Sequence, residues 1–233
     1  MKAAQSQAEG AELALAELCQ VYWYPLYIFA RRRGYSPSDA EDLTQGFFLH
    51  LLADRALSGV DPLKGKFRSF LLACFQNYIS DAVDRSRRVK RGGGKELVQL
   101  DAVDGEERYR REPVEFLTAE KIFDARWAMT ILGETMTRLR EEYIAAGKES
   151  TFEALESFLD PNSALALPSY EDVAKRLGLS ASGVKTIVHR MRKRYRSILR
   201  EEVGRTVSDP ANIDEEIRAL CEALRASGGR LGP

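Results

Sequence analysis

The residues whose type most clearly indicates a function are the basic side chains of one stretch, PSYEDVAKRLGLSASGVKTIVHRMRKRYRSILR at 168–200. Between Glu171 and Arg205, ten lysines and arginines stand against four acids, in a chain whose formal net charge is zero. A local positive excess attracts a polyanion such as a nucleic-acid backbone. The alternative is an amphipathic packing helix with a solvated charged face. The cationic residues after the turn are Lys185, His189, Arg190, Arg192, Lys193, Arg194, Arg196 and Arg200.

Two carboxylates, Asp39 and Asp42, form a second group with Gln45. Steps of three residues place these side chains on one face of a helix. Paired carboxylates can bind metal or transfer protons, but no histidine or third ligand follows at a matching spacing. Acids near a helix N-terminus are also ordinary helix stabilisers.

The remaining reactive residues form no catalytic cluster. His50 lies among leucines and His189 lies in the basic stretch, so neither has catalytic partners. The GGGK run at 92–95 has no strand before it, and Glu96 stands where a phosphate-binding loop needs Ser or Thr. We therefore predict that the chain is not an enzyme and has no cofactor and no metal site.

The cationic stretch is predicted to form two helices joined by a tight turn. Ser169 begins the first helix, with Asp172 completing a capping box. Gly178 can adopt the left-handed conformation of the turn, and Ser180 can cap the second helix. Ala174 at the helix crossing then completes the pattern of a helix-turn-helix.

Helices are also predicted in the N-terminal part. One covers 11–34, with a kink or break at Pro25. The next begins with Ser36 as N-cap and Pro37 at the first helical position. Gly46 in its interior costs about 1 kcal/mol relative to alanine, so propensity alone does not explain it. The buried stripe of that helix is Ala40, Leu43, Phe47 and Leu51.

A third N-terminal helix is predicted after a loop at 58–66. It begins near Phe67 and becomes basic before the glycines at 92–94. A helix that becomes basic before a run of glycines is typical of a nucleic-acid surface followed by a flexible exit.

Composition limits the class of protein. A chain of 233 residues with 44% hydrophobic content can bury a core, as two small all-α domains. No apolar run reaches 18 residues and no signal-peptide pattern is present, so membrane attachment is not expected. Three widely separated cysteines, Cys19, Cys74 and Cys221, fit a reduced, cytoplasmic location without disulfides.

Two segments extend this plan. A short helix is predicted over 152–159, begun by a capping box from Ser150 to Glu153. An acidic helix with one apolar stripe is predicted after residue 206. It could pack on the domain that holds the basic helix, or it could regulate the chain by competing with DNA for that helix.

Together, DAEDLTQGFFLHLL at 39–52, KFRSFLLACFQNYISDAVDRSRRVKR at 66–91 and the helix-turn-helix resemble a bacterial RNA polymerase sigma factor of the extracytoplasmic-function (ECF) group. The resemblance covers Leu15 to Lys95 and Asp124 to Val203. It implies a sigma-2-like domain at 1–95, an acidic flexible linker at 96–118, a sigma-4-like domain at 119–205 with its helix-turn-helix at 169–200, and an acidic helical extension at 206–233. The linker would reach roughly 70 to 80 Å when extended.

The resemblance also implies roles for individual residues. Asp39, Asp42 and Gln45 match the face that docks onto the clamp helices of the β′ subunit of core RNA polymerase, and the β flap is a second implied contact. The positions implied for the minus-10 promoter element are Lys66, Phe67, Arg68, Ser69, Asn77, Arg85, Arg87 and Arg88. Those implied for the minus-35 element are Ser182, Lys185, Thr186, His189, Arg190, Arg192 and Arg194.

We therefore expect a sigma factor of ECF type, which binds core polymerase, recognises promoter DNA and promotes initiation. An anti-sigma factor or a regulatory kinase is a further candidate partner. The alternative is a helix-turn-helix repressor or activator that acts on duplex DNA without docking to polymerase.

Overall fold

The structure is a computed structural model that describes residues 19–53, 67–88, 103–110, 117–159, 167–207 and 209–227. Every regular element among these residues is helical, which confirms the all-α prediction. The helices are α1 (through 19–32), α2 (Pro37–Ala53), α3 (Phe67–Arg88), α4 (Val103–Arg110), α5 (Ala119–Ala145), α6 (Glu149–Leu155), α7 (Tyr170–Leu177), α8 (Ala181–Arg205) and α9 (Ile213–Ala226). None of the described helices is long and apolar enough to cross a membrane.

The first compact unit comprises Met1–Thr130 and Thr206–Pro233. Aromatic side chains of α1, α2 and α3 form its core, and Phe29, Phe47 and Phe75 are at most 1% exposed. The ring centroids of Phe47 and Phe75 lie 5.0 Å apart, and those of Phe29 and Phe75 lie 6.1 Å apart. Tilted rings attract at these distances, so the aromatic cluster holds the three helices together.

Gly46 lies in the middle of α2, where the Tyr78 side chain of α3 crosses it. A Cβ atom on Gly46 would overlap with the Tyr78 hydroxyl. The Tyr78 ring also packs on Phe47 and His50, with centroid distances of 5.7 and 5.4 Å. The close approach of α3 therefore explains a glycine that helix propensity disfavours.

One helix lies within the predicted linker. Glu106 of α4 accepts hydrogen bonds from the Tyr27 hydroxyl at 2.8 Å and from the Arg31 guanidinium at 3.0 and 3.2 Å. Burial raises the pKa of Glu106, but these hydrogen bonds outweigh it and the pKa lies below its usual value. A Cβ atom on Gly105 would lie 3.1 Å from the Trp23 ring. Docking on α1, rather than hydrophobic periodicity, stabilises this short helix.

α1 is continuous through Pro25, so the predicted break does not occur. Pro25 is buried, and its neighbours Tyr24 and Leu26 are 6% and 0% exposed. Packing on both sides of the proline holds this segment in helical conformation.

The second compact unit comprises Ile131–Arg205. Its core joins the C-terminal half of α5 to α6, α7 and α8. The core side chains are Leu139, Phe152, Leu155, Phe158, Val173, Ala174, Val184, Val188, Met191 and Ile198.

The short helix predicted before the helix-turn-helix is present as α6, followed by a 3-10 turn at Glu156–Phe158. Its predicted capping box is wrong. The N-cap is Lys148, which makes no side-chain cap, and Ser150 lies inside the helix. The backbone of Lys148 accepts the first bonds, from Thr151 and Phe152, so the helix begins earlier than Ser150 would set it.

The two units divide the chain differently from the boundaries expected from sequence. The division falls inside α5, and the segment after residue 206 belongs to the first unit. That segment was expected either to pack on the domain with the basic helix or to regulate it; in the structure Glu216 of α9 lies 3.2 Å from Arg68 of α3.

Candidate nucleic-acid interface

α7 and α8 form a helix-turn-helix with the turn chemistry that the sequence predicts. The Ser169 Oγ accepts a hydrogen bond from the Asp172 N–H at 3.1 Å and donates one to the Asp172 carboxylate at 2.7 Å. Gly178 has a φ of +66°, in the left-handed region. The Ser180 Oγ accepts a bond from the Gly183 N–H at 3.1 Å and so caps α8.

One face of α8 is exposed along most of its length. Its residues recur at steps of three and four, while Val184, Val188 and Met191 hold the opposite face in the core. Small residues and donors occupy the N-terminal end, where a reader helix meets base edges, and cations follow where phosphates would lie. The exposed residues of this face are Ser182, Lys185, Thr186, His189, Arg190, Arg192, Lys193, Arg196 and Arg200.

Arg192 and Arg194, two of the predicted minus-35 residues, make structural contacts inside the second unit. The Arg192 guanidinium donates to the Phe158 carbonyl at 3.0 and 3.3 Å. Arg194 donates to the two Glu142 oxygens at 2.5 and 2.8 Å and reaches Glu201 at 3.4 Å. The hydrogen bond from Arg194 lowers the pKa of Glu142 below its usual range, and Glu142 in turn raises the pKa of Arg194. Both guanidinium groups thus have protein partners, while Arg192 is also exposed, and the assignment of both arginines to the minus-35 element remains a prediction.

The three residues predicted to face polymerase do not share one exposed surface. Asp42 is exposed, and Asp39 is exposed but accepts the Ser36 hydroxyl at 2.6 Å as part of the helix cap. Gln45 is only 6% exposed and donates to Glu41 at 3.2 Å. Burial raises the pKa of the Glu41 carboxyl, as does the neighbouring Asp42, while the Gln45 bond lowers it. Of the three residues, Asp42 is therefore the one that is exposed on α2 and takes no part in the helix cap.

Leu49 is a surface residue of α2 that the sequence reasoning missed. Its side chain is 51% exposed and lies seven residues after Asp42, hence on the same face. The signal was present in the sequence, since Leu49 falls outside the stripe of Ala40, Phe47 and Leu51. Asp42 and Leu49 are therefore both exposed on one face of α2.

The residues predicted for the minus-10 element are described only in part, and the described ones differ in exposure. Lys66 and the loop before it lie outside the described residues, as do the side chains of Arg85, Arg87 and Arg88. Phe67 is partly buried, with its ring 5.8 Å from that of Tyr22. Ser69 and Asn77 are exposed, eight residues apart on one face of α3.

Arg68 is the exception, because its side chain is buried. It is 6% exposed and its guanidinium carbon lies 4.5 Å from the Trp127 ring centroid. Its Nη1 lies 3.3 Å from Asp124 of α5, and its Nε lies 3.2 Å from Glu216 of α9. Glu216 is only 2% exposed. It lies on the face of α9 that carries the predicted apolar stripe, and no pattern in the sequence indicated that a charged residue would be buried there. Arg68, which was predicted to contact the minus-10 element, is thus buried in this structure.

No cluster of three potential metal ligands occurs among the residues that the structure describes. Residues 24–89, which include most of α1 and all of α2 and α3, match the family model of Sigma-70 region 2. Searches of curated proteins and of solved structures gave no match. The match supports the sigma-factor class for this chain, through its N-terminal helical domain.

Proposed function

We propose that this chain is an RNA polymerase sigma factor of ECF type. It binds core polymerase, recognises the minus-35 and minus-10 promoter elements and promotes initiation in the cytoplasm. The observation that carries the proposal is the Sigma-70 region 2 match over 24–89, on a chain that also holds a helix-turn-helix with an exposed basic face. A sigma factor acts by binding and positioning, so no catalytic group is needed.

Core polymerase binds the exposed face of α2 in this proposal. Asp42 supplies the charge and Leu49 the apolar contact, while Asp39 fixes the start of the helix. Gln45 acts indirectly, since its amide holds the Glu41 carboxylate rather than pointing outward. A central apolar side chain with a charged neighbour is a common source of binding energy and orientation at protein interfaces.

The minus-35 element binds the exposed face of α8. Ser182, Lys185 and Thr186 stand where base edges are read, and Arg190 and Lys193 grip phosphates. The minus-10 element binds along α3, where Ser69 and Asn77 are exposed. The loop before Phe67 and the basic end of α3 complete this surface in the proposal.

The docking assignment is tested by the affinity of the purified chain for core polymerase. Asp42→Arg reverses the central charge of the α2 face and should weaken core binding by at least about tenfold, because a like charge at an interface costs several kcal/mol. Glu222→Arg makes the same charge change at an exposed position of α9 and is the matched control. Duplex binding by α8 should be equal in both variants.

Equal core affinity of Asp42→Arg and the control would show that α2 does not dock to polymerase. If duplex binding then persisted without any binding to core, the chain would be a conventional helix-turn-helix repressor or activator.

A further inference from the structure

The C-terminal helix α9 contacts the first unit through one fully buried apolar side chain and one buried ion pair. Glu216 and Leu220 are the fully buried residues of α9, and Glu216 lies 3.2 Å from Arg68. Ile213, Ile217 and Leu224 of its apolar stripe are only partly buried, and Cys221 is exposed. A helix that buries a single apolar side chain completely is held weakly by the hydrophobic effect.

A buried ion pair adds little further stability to such an attachment. Desolvation of both charges offsets much of their attraction, and apolar residues of similar volume usually serve at least as well. The pair does give Arg68 a partner with the chemistry of a nucleic-acid phosphate, since both present anionic oxygens to a guanidinium fork.

The position of Arg68 in the chain relates its contact with Glu216 to the proposed binding of the minus-10 strand. Arg68 stands in the first turn of α3, beside exposed Ser69 and directly after the loop that we assign to the melted minus-10 strand. Its second ionic partner, Asp124, has a side chain 41% exposed, whereas that of Glu216 is 2% exposed. Glu216 is thus the buried carboxylate beside Arg68, and the Trp127 ring covers the guanidinium as well.

We propose that α9 is a displaceable cover, in which Glu216 occupies the place on Arg68 that a phosphate of single-stranded DNA takes. This inference rests on the proposed function for the role of the strand. In the free protein, α9 prevents Arg68 from contacting a phosphate. When a single strand binds, the strand displaces α9 from Arg68.

The test measures binding of the full-length chain to an oligothymidylate strand as a function of salt, by fluorescence anisotropy. Glu216→Gln removes the buried one of the two carboxylates paired with Arg68 and should tighten binding about fivefold at low salt, with the slope of log K against log salt steeper by about 0.7, the value for one added phosphate contact. Glu222→Gln removes the same charge from an exposed position of α9 and should leave the slope unchanged. Arg68→Ala combined with Glu216→Gln should restore the wild-type slope.

Leu220→Ala provides a second way to loosen α9, with the Arg68–Glu216 charges intact, and should shift affinity in the same direction. Circular dichroism and urea unfolding establish that each variant is folded, and a Glu216→Gln chain that fails to fold leaves Leu220→Ala to decide. Equal slopes for Glu216→Gln and Glu222→Gln, or a gain that survives Arg68→Ala, would overturn the cover. Binding too weak to detect in both Glu216→Gln and Leu220→Ala would overturn it as well.

These outcomes are independent of transcription. Failure of the wild-type chain to direct core polymerase would refute the proposed function, while the strand-binding difference between Glu216→Gln and its control could still be observed.

Discussion

Arg190 and Arg194 lie one turn apart on α8, and their surroundings differ. Arg190 is exposed on the face that carries Lys185 and His189. Arg194 is held by both oxygens of Glu142 and reaches Glu201. The same residue type thus stands on the face that we propose binds DNA in one case and packs α8 on α5 in the other.

This difference can be measured by alanine substitution at each position. Arg190→Ala should weaken duplex binding and reduce the salt slope by about 0.9, the value for one lost phosphate contact, with unfolding unchanged. Arg194→Ala should leave the slope unchanged and lower the free energy of unfolding by about 1 kcal/mol, a value that allows for solvent screening of a pair that is over a third exposed. Anisotropy titrations and urea unfolding check both results. A reduced salt slope in Arg194→Ala would contradict its structural role.

At the scale of elements, α2 and α3 approach most closely where Gly46 meets Tyr78. This contact makes the glycine a packing residue of the domain that matches Sigma-70 region 2. A larger residue there must move the Tyr78 ring, and with it the contacts of that ring to Phe47 and His50.

Gly46→Ala should therefore destabilise the chain by about 1 kcal/mol, because overpacking outweighs the gain in helix propensity. In a Tyr78→Phe background the nearest ring atom lies 3.5 Å away, an ordinary contact, and the same change should be neutral or stabilising. Gly133→Ala is the control: no atom lies within 4 Å of its Cβ, so it should stabilise α5 by about 1 kcal/mol. Urea unfolding of each variant gives these values. A penalty for Gly46→Ala that persists in the Tyr78→Phe background would exclude the Tyr78 hydroxyl as its cause.

Local signals allowed much of the helical structure to be predicted from sequence. The caps at Ser36, Ser169 and Ser180 and the turn at Gly178 depend on neighbouring residues only, and all four are observed. The prediction for the start of α6 was wrong. Ser150 and Glu153 match a capping box by residue type, but the backbone turn at Lys148 determines where the helix begins.

Burial of charged residues could not be predicted, since it depends on contacts distant in sequence. Arg68 and Glu216 are 148 positions apart, and nothing in either local pattern pairs them. Gln45 shares a helical face with Asp42 by spacing, yet it is buried beside Glu41. Periodicity identifies the helix face on which a residue lies, and the packing of other elements determines which faces stay exposed.

The chain combines two compact helical units, and in our proposal each has one of the surfaces used for promoter recognition. The first contains the region 2 match and the acidic face of α2, and the second contains the basic face of α8. The C-terminal segment belongs to the first unit, so it acts on the strand-binding side in our proposal rather than on the reader helix.

If this chain directs core polymerase to promoters, transcription in vitro by core polymerase must depend on it. Purified core polymerase is incubated with genomic DNA fragments, with and without the chain, and run-off transcripts are mapped. We predict discrete transcripts that require the chain, with Asp42→Arg reducing their yield at least about tenfold and Glu222→Arg leaving it unchanged. Fragments that bind the wild-type chain but yield no chain-dependent transcript would contradict the claim.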